Sequence, residues 1–399
     1  MGAKHSNIKE DHTKFPFWCG YLPDADALEL LKNKNDFLLR CLENDSLSLT
    51  LFGGPTKLSN FVLQKNNSGW HLAGQKSTEP TSKELVEFYW CTKQAIILKG
   101  ECDRLESPIL RPPWLLSSAK VWFGEKLGEG AYGIVYKGEL IDVGTVVDVA
   151  IKQLVGKKIG KEEIANLWRE ARIMTGLRNE HVVRFHGIVN DSKPFSIVLE
   201  YINGKSVDNF LKDEGADSDD KMRTKIALGA ARGMKYLHSQ NPPFLHLDLA
   251  TRNLLIHWNG RSKTINNMTV KVADFGLSKR GQKHTIDTSK PTNLRWLDPD
   301  SYKNKSVDKL TDVYAFGVTL FEIFSRPYEF PYAKWDATKV YEQVIDVPED
   351  KRKRLNEPDG MPIEIASLMK SCMKFDKNRE ERPSFEVIEK SVDGIYRKM

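Results

Sequence analysis

The sequence predicts an α+β protein built from two folded parts that are joined by a proline-containing segment. Its 399 residues exceed the length of one small domain and suggest two or three domains. Residues 15–107 show the order helix, strands, helix, which is typical of a small α+β module. Residues 121–155 are rich in β-forming residues and glycine, and most of the chain beyond Ala171 has a helical pattern.

The joining segment, residues 108–114, carries three prolines and has no amphipathic period, so we expect an extended linker. In the smaller part, Asp24 to Lys34 has apolar residues at helical spacing, and Thr81 with Glu84 forms a capping box that opens a second helix. Strands are predicted at residues 37–41, 47–52 and 61–64, with a turn at residues 53–55.

Composition excludes several classes of protein. Apolar residues make up 40% of the chain and charged residues 29%, which argues against collagen, global disorder and a disulfide scaffold. The net charge of +6 lies beyond residue 117, because residues 1–117 carry 14 basic and 14 acidic side chains. The excess is mild and no basic stripe carries interleaved aromatics, so we predict no nucleic-acid partner. Five cysteines without a CxxC pattern predict reduced thiols rather than disulfides or zinc.

Membrane association is expected to be peripheral at most. The longest apolar stretch, Val313 to Phe324, is too short to span a bilayer and contains Glu322, and the polar N-terminus lacks a signal-peptide core. Residues 1–6 fit the pattern M-G-x-x-x-[ST], in which Gly2 would be myristoylated, although an unmodified tail explains the same residues. We therefore expect a cytoplasmic protein, with Gly2 as the candidate lipid anchor to the inner face of the plasma membrane.

The first chemical motif is a glycine-rich run, Gly128-Glu-Gly130-Ala-Tyr-Gly133-Ile-Val135, between two strand-like segments. Glycines at this spacing let backbone N–H groups approach phosphates without an intervening Cβ. A dinucleotide-binding loop shares the spacing, but there a helix follows, whereas the β-branched and aromatic residues here favour a second strand. A glycine-rich hairpin without a ligand remains the alternative.

The second motif is Val149-Ala150-Ile151-Lys152, a short apolar strand that ends in a lysine. A lysine at the edge of an apolar strand needs an anionic partner, either a phosphate or a carboxylate. Glu170, in the helical segment 162–174, is the candidate carboxylate, and a solvated helix charge is the alternative interpretation of that residue.

The third and fourth motifs are His246-Leu-Asp248-Leu-Ala-Thr-Arg-Asn253 and Asp274-Phe-Gly276. Apolar neighbours on both sides of the third motif imply burial, so Asp248 is expected to have a functional partner. Asp248 could accept a hydroxyl proton, while Asn253 and Asp274 have oxygen atoms suited to Mg²⁺. The four motifs follow one another at separations of 22 to 96 residues, and this combination matches the protein-kinase signature set.

Residues 120–395 resemble a protein kinase domain, specifically a non-receptor tyrosine kinase. Ala250 and Arg252 occupy the positions by which tyrosine kinases differ from serine/threonine kinases, and Arg295-Trp296 is similar to the segment that supports a tyrosine side chain. The family pattern also includes Asp312 and an arginine, Arg382, which by analogy would pair with Asp300.

The resemblance implies transfer of the ATP γ-phosphate to a tyrosine hydroxyl, with ATP and Mg²⁺ as cofactors. Asp248 would act on the hydroxyl together with Arg252, and Lys152 would hold phosphates and pair with Glu170; Asn253 and Asp274 would hold Mg²⁺. The remaining ATP-binding residues implied by the family are Leu127, Gly128, Glu129, Gly130, Ala131, Tyr132, Gly133, Ile134, Val135, Ala150, Leu199, Glu200, Ile202 and Leu255.

The smaller part resembles an SH2 domain. Phe37-Leu-Leu-Arg40 is similar to the phosphotyrosine-binding strand, and Phe17-Trp-Cys-Gly20 to the segment that opens the domain. An SH2 domain before a tyrosine kinase is similar to the Fes/Fer subfamily. The implied organisation is a flexible N-terminus (1–14), an SH2 domain with a central antiparallel sheet flanked by two helices (15–107), a linker (108–119) and a bilobal kinase domain with a β-rich N-lobe and an α-helical C-lobe (120–395).

Arg40 would grip the phosphate of phosphotyrosine peptides. Three residues depart from the family pattern around it: Asp24 stands where a second phosphate-binding arginine is usual, Leu42 replaces a serine and Asn60 replaces a histidine. Either the module binds phosphotyrosine through Arg40, or its fold serves only to buttress the kinase.

Two functions follow from the sequence. The first is an active tyrosine kinase acting on protein substrates and targeted or regulated by its SH2 domain, because every charged group that phosphoryl transfer needs is present. The second is a pseudokinase scaffold that acts by binding alone, to which Leu247 points, since the family usually has an arginine before the catalytic aspartate.

Overall fold

The computed structural model describes residues 12–98, 101–130, 133–142, 144–154, 161–288 and 293–399. The chain divides into two compact units. The first contains Met1–Ile159 and His186–Val198, and the second contains Gly160–Phe185 and Leu199–Met399. The lipidation candidate Gly2 and the loop residues Ala131 and Tyr132 lie outside the described residues.

The first unit begins with a mixed sheet in the order β1-β2-β3-β4-β5, with β8 added beside β2. Strands β2 to β5 pair antiparallel, as predicted, but β1 and β8 run parallel to β2. The parallel β1–β2 pair is possible because α1 carries the chain across between these two strands. Strands β6 and β7 form a separate hairpin. The bounds are β1 Trp18–Tyr21, α1 Asp24–Leu30, β2 Asp36–Cys41, β3 Leu47–Gly54, β4 Lys57–Asn66, β5 Gly69–Leu72, α2 Ser82–Thr92, β6 Ile96–Leu98, β7 Glu101–Asp103 and β8 Ser107–Pro108.

The two predicted helices of this module are present. The capping box of α2 is confirmed, since the Thr81 hydroxyl accepts from the Glu84 N–H and the Glu84 carboxylate accepts from the Thr81 N–H. Helix α1 ends at Leu30, earlier than predicted, because the Asp36 carboxylate accepts hydrogen bonds from the backbone N–H groups of Lys32 and Asn33. Those N–H groups are thereby withdrawn from helical pairing.

The joining segment, residues 108–114, has no helix, as predicted, and it forms hydrogen bonds to the rest of the first unit. The Ile109 N–H donates to the Phe37 carbonyl, and the Arg111 N–H donates to the Pro16 carbonyl. The Arg111 guanidinium also donates to the carbonyls of Leu115 and Leu116. The predicted linker is therefore an integral part of the first unit.

A second sheet has the strand order β10-β11-β12-β14-β13-β9, and it confirms the prediction of a β-rich segment after residue 120. Its apolar core includes Val121, Leu140, Val149, Ile151 and Val198. The bounds are β9 Leu115–Leu116, β10 Val121–Gly130, β11 Gly133–Asp142, β12 Thr145–Gln153, β13 Phe185–Val189 and β14 Ser196–Glu200.

Asn190, in the turn after β13, connects the two sheets of the first unit. Its side chain donates to the carbonyls of Cys19 and Tyr21, and its own carbonyl accepts from the Tyr21 N–H. Between them, Gly20 has φ +64°, and a Cβ there would lie 2.8 Å from the Asn190 carbonyl oxygen. Glycine is required at position 20 on both counts, conformation and space.

The second unit is mainly helical, as predicted, with a core formed around the long helices α5 and α7. Its short strands pair as β15–β18, β16–β17 and β19–β20. The bounds are α3 Lys161–Met174, α4 Val207–Asp213, α5 Asp220–Ser239, β15 Phe244–Leu245, β16 Leu254–Trp258, β17 Met268–Val272, β18 Lys279–Arg280, β19 Lys283–Thr285, α6 Pro299–Lys303, β20 Ser306–Asp308, α7 Lys309–Phe324, α8 Ala337–Val340, α9 Ile363–Cys372 and α10 Phe385–Lys398.

Two sequence expectations about covalent and membrane chemistry can be compared with the structure. None of the five cysteines, all of which lie among the described residues, is joined in a disulfide. Among the helices in the described part of the chain, none combines the length and apolarity needed to cross a bilayer.

Candidate active site

The glycine-rich run forms the end of an antiparallel hairpin. Gly130 pairs with Gly133, Glu129 with Ile134 and Gly128 with Val135, so a strand follows the third glycine, as predicted, rather than a helix. Gly133 has φ +135°, and a Cβ there would lie 2.1 Å from the Gln153 carbonyl oxygen. This glycine therefore allows β12 to pass close beside the hairpin, a reason for glycine that is independent of any ligand.

Strand register places three of the predicted ATP-binding residues of β11 and β12 on one face. Val135 lies opposite Lys152, and Lys137 lies opposite Ala150. Because side chains alternate along a strand and directly opposed residues share a face, Val135, Ala150 and Lys152 lie on the same side of the sheet. The intervening Ile151 is buried in the core on the other side.

The other predicted ATP-binding residues lie in the second unit. Leu199 and Glu200 end β14, Ile202 follows it, and Leu255 lies on β16. Glu200 forms an ion pair with Lys271, with 3.1 Å between Oε1 and Nζ. Glu170 lies on α3 with only 6% of its surface exposed, which argues against the interpretation as a solvated helix charge.

The loop after β15 concentrates hydrogen-bond donors on the Asp248 carboxylate. Its Oδ1 accepts from Arg252 Nη2 at 2.5 Å and from Asn293 Nδ2 at 3.0 Å, and its Oδ2 accepts from Asn253 Nδ2 at 2.8 Å. The expectation that a partly buried Asp248 has partners is confirmed. Three donors fix the orientation of the carboxylate, and Asn293 is a member of this group that the motif search missed.

Asp312, at the start of α7, holds the backbone of this loop. Its fully buried carboxylate accepts from the N–H groups of His246 and Leu247 at 2.9 and 2.8 Å, and from His238 Nε2. Leu247 has φ +65°, a conformation that is unfavourable for leucine. The two hydrogen bonds to Asp312 stabilise this strained residue directly before Asp248.

Antiparallel pairing of β16 and β17 brings the two predicted metal ligands to the same end of the ribbon. Asn253 directly precedes β16, Asp274 follows β17 by two residues, and the Ala273 N–H donates to the Asn253 carbonyl at 2.9 Å. The Asn253 Nδ2 is engaged with Asp248, which leaves its Oδ1 for a cation. One carboxylate and one amide oxygen, completed by phosphates and water, are a donor set that fits Mg²⁺.

A buried acid that the sequence showed only as an interruption of an apolar stretch supports the same loop. Glu322 accepts from the N–H and hydroxyl of Thr251, from Trp296 Nε1 at 2.7 Å and from the Tyr328 hydroxyl. Burial raises the pKa of Glu322, and these hydrogen bonds oppose that rise. A charged residue inside an apolar helix was the available signal, since such a group needs partners.

Trp296 provides the second contact of Arg252. The guanidinium carbon lies 4.5 Å from the centre of the indole ring, while Nη2 bonds to Asp248. Glu322 fixes the indole, the indole supports Arg252, and Arg252 holds Asp248. Through these contacts the predicted substrate-supporting segment, Arg295-Trp296, packs against the predicted catalytic loop.

Arg382 pairs mainly with Asp298, not with Asp300 as family analogy suggested. Two parallel bonds of 2.8 and 2.9 Å join its guanidinium to the Asp298 carboxylate, whereas the nearest oxygen of Asp300 is 4.0 Å away. Asp298 is the N-cap of α6, and its fully buried carboxylate also accepts from Arg379 at 3.0 Å. The helix cap, rather than the acid two residues later, therefore faces the arginine.

Arg40, the predicted phosphate ligand, lies on β2 with 1% of its surface exposed. The guanidinium donates to Thr50 Oγ1, the Leu22 carbonyl, Asp24 Oδ1 and Asn60 Oδ1. Two of the residues that depart from the SH2 pattern, Asp24 and Asn60, thus contact the arginine directly.

Comparison with known proteins extends these observations. The sequence model of one family, described as "Protein tyrosine and serine/threonine kinase", matches residues 121–392. The chain is similar to human tyrosine-protein kinase Fer (28% identity over 384 residues, 95% of this chain and 44% of Fer). It is also similar to Fer-related kinase 1 of Caenorhabditis elegans, with 28% identity over 98% of this chain and 96% of that protein.

A third relative carries a different description. Probable serine/threonine-protein kinase SIS8 of Arabidopsis thaliana is 35% identical over 281 residues, which are 70% of this chain and 25% of SIS8. The chain thus spans less than half the length of Fer and of SIS8 but nearly all of Fer-related kinase 1. Relatives of both kinds mean that the residue type phosphorylated must be argued from the site.

Proposed function

Because the chain belongs to the protein tyrosine and serine/threonine kinase family, we propose that it is an ATP-dependent protein-tyrosine kinase of the non-receptor kind. The observation that carries this proposal is the Asp248 carboxylate held by Arg252, which itself rests on Trp296. Serine/threonine kinases usually place a lysine where this chain has Ala250. A small residue at position 250, together with Arg252 packed against the Trp296 ring, suits the long phenol side chain of tyrosine.

In this proposal Asp248 orients the tyrosine hydroxyl and accepts its proton as the γ-phosphoryl group is transferred. Lys152 binds phosphate oxygens of ATP, and the backbone N–H groups of residues 128–133 cover the phosphates. Asn253 and Asp274 would hold Mg²⁺, which when bound neutralises charge that develops on the phosphates. The family resemblance assigns adenine binding to Val135 and Ala150 of the first unit and to Leu199, Glu200, Ile202 and Leu255 of the second unit.

We assign residues 15–107 to an SH2 domain, residues 108–119 to a linker and residues 120–395 to the kinase domain. Support for the SH2 assignment is the buried arginine on β2, the sheet with two helices and the similarity to proteins named Fer along 95% of the chain. The proposed partners are protein-tyrosine substrates and, through Arg40, phosphotyrosine peptides. Acylation of Gly2, with attachment to the cytoplasmic membrane face, is retained as a proposal that mass analysis of the N-terminal peptide would test.

The kinase proposal is tested by incubating the chain with radiolabelled ATP, Mg²⁺ and a Glu/Tyr copolymer, followed by phosphoamino-acid analysis. We expect label on phosphotyrosine, and loss of that label in Asp274→Asn, which removes the carboxylate assigned to Mg²⁺. Label on phosphoserine or phosphothreonine would overturn the tyrosine assignment. No incorporation above the Asp274→Asn background would favour the pseudokinase scaffold, the alternative to which Leu247 points.

Asn293 provides a finer test of how Asp248 is positioned. Asn293→Ala removes one of the three donors to the Asp248 carboxylate. A hydrogen bond to a charged group is worth about 1.5–3 kcal/mol, so we expect kcat to fall by roughly tenfold or more. The KM for ATP should stay unchanged, because Asn293 bonds to the proposed base and to no residue assigned to ATP.

The conservative variant Asn293→Ser keeps a donor and should recover part of kcat. Steady-state kinetics at several pH values separates an effect on kcat from an effect on the KM for ATP. A wild-type kcat in Asn293→Ala, or an effect confined to the KM for ATP, would contradict this positioning role.

A further inference from the structure

The Arg40 guanidinium is buried, and acceptors of the chain itself receive four hydrogen bonds from it. Nε donates to Thr50 Oγ1 at 2.9 Å, and Nη1 donates to the Leu22 carbonyl at 2.5 Å. Nη2 donates to both Asp24 Oδ1, at 2.5 Å, and Asn60 Oδ1, at 3.0 Å. Each of the three guanidinium nitrogens therefore has an acceptor before any ligand is considered.

Asp24 differs from the other three acceptors in charge and in exposure. It is the single anion among them, and its side chain is 70% exposed, whereas that of Arg40 is 1% exposed. Asp24 is the first residue of α1 and directly follows the N-cap residue Pro23. Among these four acceptors, the negative partner of the buried Arg40 guanidinium thus lies on the solvent side of the contact.

The remaining contacts hold Arg40 in place without Asp24. Thr50 Oγ1 accepts from Arg40 and donates to Asn60 Oδ1 at 2.8 Å, which links two of the acceptors to each other. Both residues lie on neighbouring strands of the sheet, β3 and β4. Rotation of the Asp24 side chain into solvent would free one N–H of Nη2 for an external anion, while the bonds to Thr50, Leu22 and Asn60 keep the guanidinium in position.

We propose that Asp24 is an internal ligand that closes the Arg40 site, and that a phosphate monoester binds there only by displacing the Asp24 carboxylate. This proposal rests on the proposed phosphotyrosine binding and adds what controls it. Carboxylate and phosphate oxygens accept from a guanidinium in the same geometry, so the two anions compete for one donor group. The carboxylate has the advantage of being attached to the chain, which gives it a high effective concentration.

A consequence is a site with weak affinity for phosphotyrosine in the wild-type chain. The incoming dianion must displace the Asp24 carboxylate from the guanidinium, because two negative charges left in contact there would be strongly unfavourable. Removing the Asp24 charge should therefore raise affinity by about tenfold or more.

The test measures binding of O-phospho-L-tyrosine to the full chain by isothermal titration calorimetry, after phosphatase treatment that clears any phosphotyrosine of the chain itself. Asp24→Asn keeps the size of the side chain and removes its charge, and Asp24→Ala also removes the acceptor. Glu29→Gln is the matched control, because Glu29 is an exposed acid on the same helix. We expect both Asp24 variants to bind at least about tenfold more tightly than wild type, and Glu29→Gln to equal wild type.

Two further variants test whether the gain in affinity for O-phospho-L-tyrosine arises at Arg40. Asp24→Asn combined with Arg40→Met should lose the gain, and Asp24→Asn combined with Arg40→Lys, which keeps the charge but cannot bridge two acceptors, should lose most of it. Melting temperatures confirm that each variant is folded.

The outcomes separate this proposal from the one on which it rests. Binding that depends on Arg40 but is equal in wild type, Asp24→Asn and Glu29→Gln would overturn the role of Asp24 and leave phosphotyrosine binding intact. Absence of binding in every variant would overturn both. Kinase activity, measured on the same samples, reports on the catalytic proposal independently of either result.

Discussion

Asp248→Asn is expected to lower kcat for phosphotyrosine formation by about 10²–10⁴-fold, the range that a positioned general base contributes. The asparagine has nearly the shape of aspartate but cannot accept a proton. Its NH₂ group must also face either Arg252 and Asn293 or Asn253, all of which are donors. The substitution therefore removes the proposed base and places the new NH₂ group against at least one of these N–H donors.

Initial rates with radiolabelled ATP and the Glu/Tyr copolymer measure this effect. Asp359→Asn, at an exposed position of the second unit, makes the same chemical change away from the loop and should retain the wild-type rate. Retention of more than about a tenth of the wild-type rate by Asp248→Asn would contradict its role as the base. The melting temperature of the variant shows whether a loss reflects chemistry rather than unfolding.

Arg382→Met is expected to lower the free energy of unfolding by about 3 kcal/mol, since removing one partner of a buried ion pair leaves a buried charge uncompensated. Arg382 and Asp298 are both fully buried and are joined by two hydrogen bonds. Arg379 still donates to Asp298 in the variant, which is why we place the effect at the lower end of the usual range. Methionine fills much of the volume of the arginine stem, so the charge is the main change.

Urea unfolding at neutral pH measures this loss. Lys390→Met is the control, because the Lys390–Glu386 pair is exposed and such pairs contribute about 0–1 kcal/mol. An equal stability loss in the two variants would show that the buried pair contributes no more than a surface pair.

The Arg382–Asp298 pair also predicts how the stability loss in Arg382→Met depends on pH. Burial raises the pKa of Asp298, but the hydrogen bonds and charges of Arg382 and Arg379 outweigh it and hold this pKa below the ordinary value of 3.8. A carboxyl whose pKa is lowered by folding contributes stability above its unfolded pKa, and that contribution disappears as the pH falls through the folded pKa. The stability difference between wild type and Arg382→Met should therefore be constant near neutral pH and shrink below about pH 4.

Local sequence signals were enough to predict the helices and most strands of the first module, the β-rich segment, the helical character of the rest and the candidate catalytic residues. Periodicity and capping signals located α2, and the β-branched residues after Gly133 distinguished a hairpin from a dinucleotide-binding loop. Glycine spacing, the lysine of β12 and the acids at 248 and 274 pointed to the proposed phosphoryl transfer, because that reaction needs those charges and those backbone conformations in that order. These are local properties, and a linear sequence displays them.

The contacts made between distant parts of the chain were decided by the tertiary structure alone. Asn293 reaches Asp248 from 45 residues away. Glu322 joins Thr251, 71 residues away in the sequence, to Trp296, 26 residues away. Family analogy placed Arg382 on Asp300, whereas packing of the α6 cap placed it on Asp298. From the sequence, Asp24 could be predicted only as a negative charge near Arg40, whereas in the folded chain its carboxylate bonds directly to the guanidinium. A hydrogen bond depends on position to within a few tenths of an ångström, and only the packed chain sets positions to that accuracy.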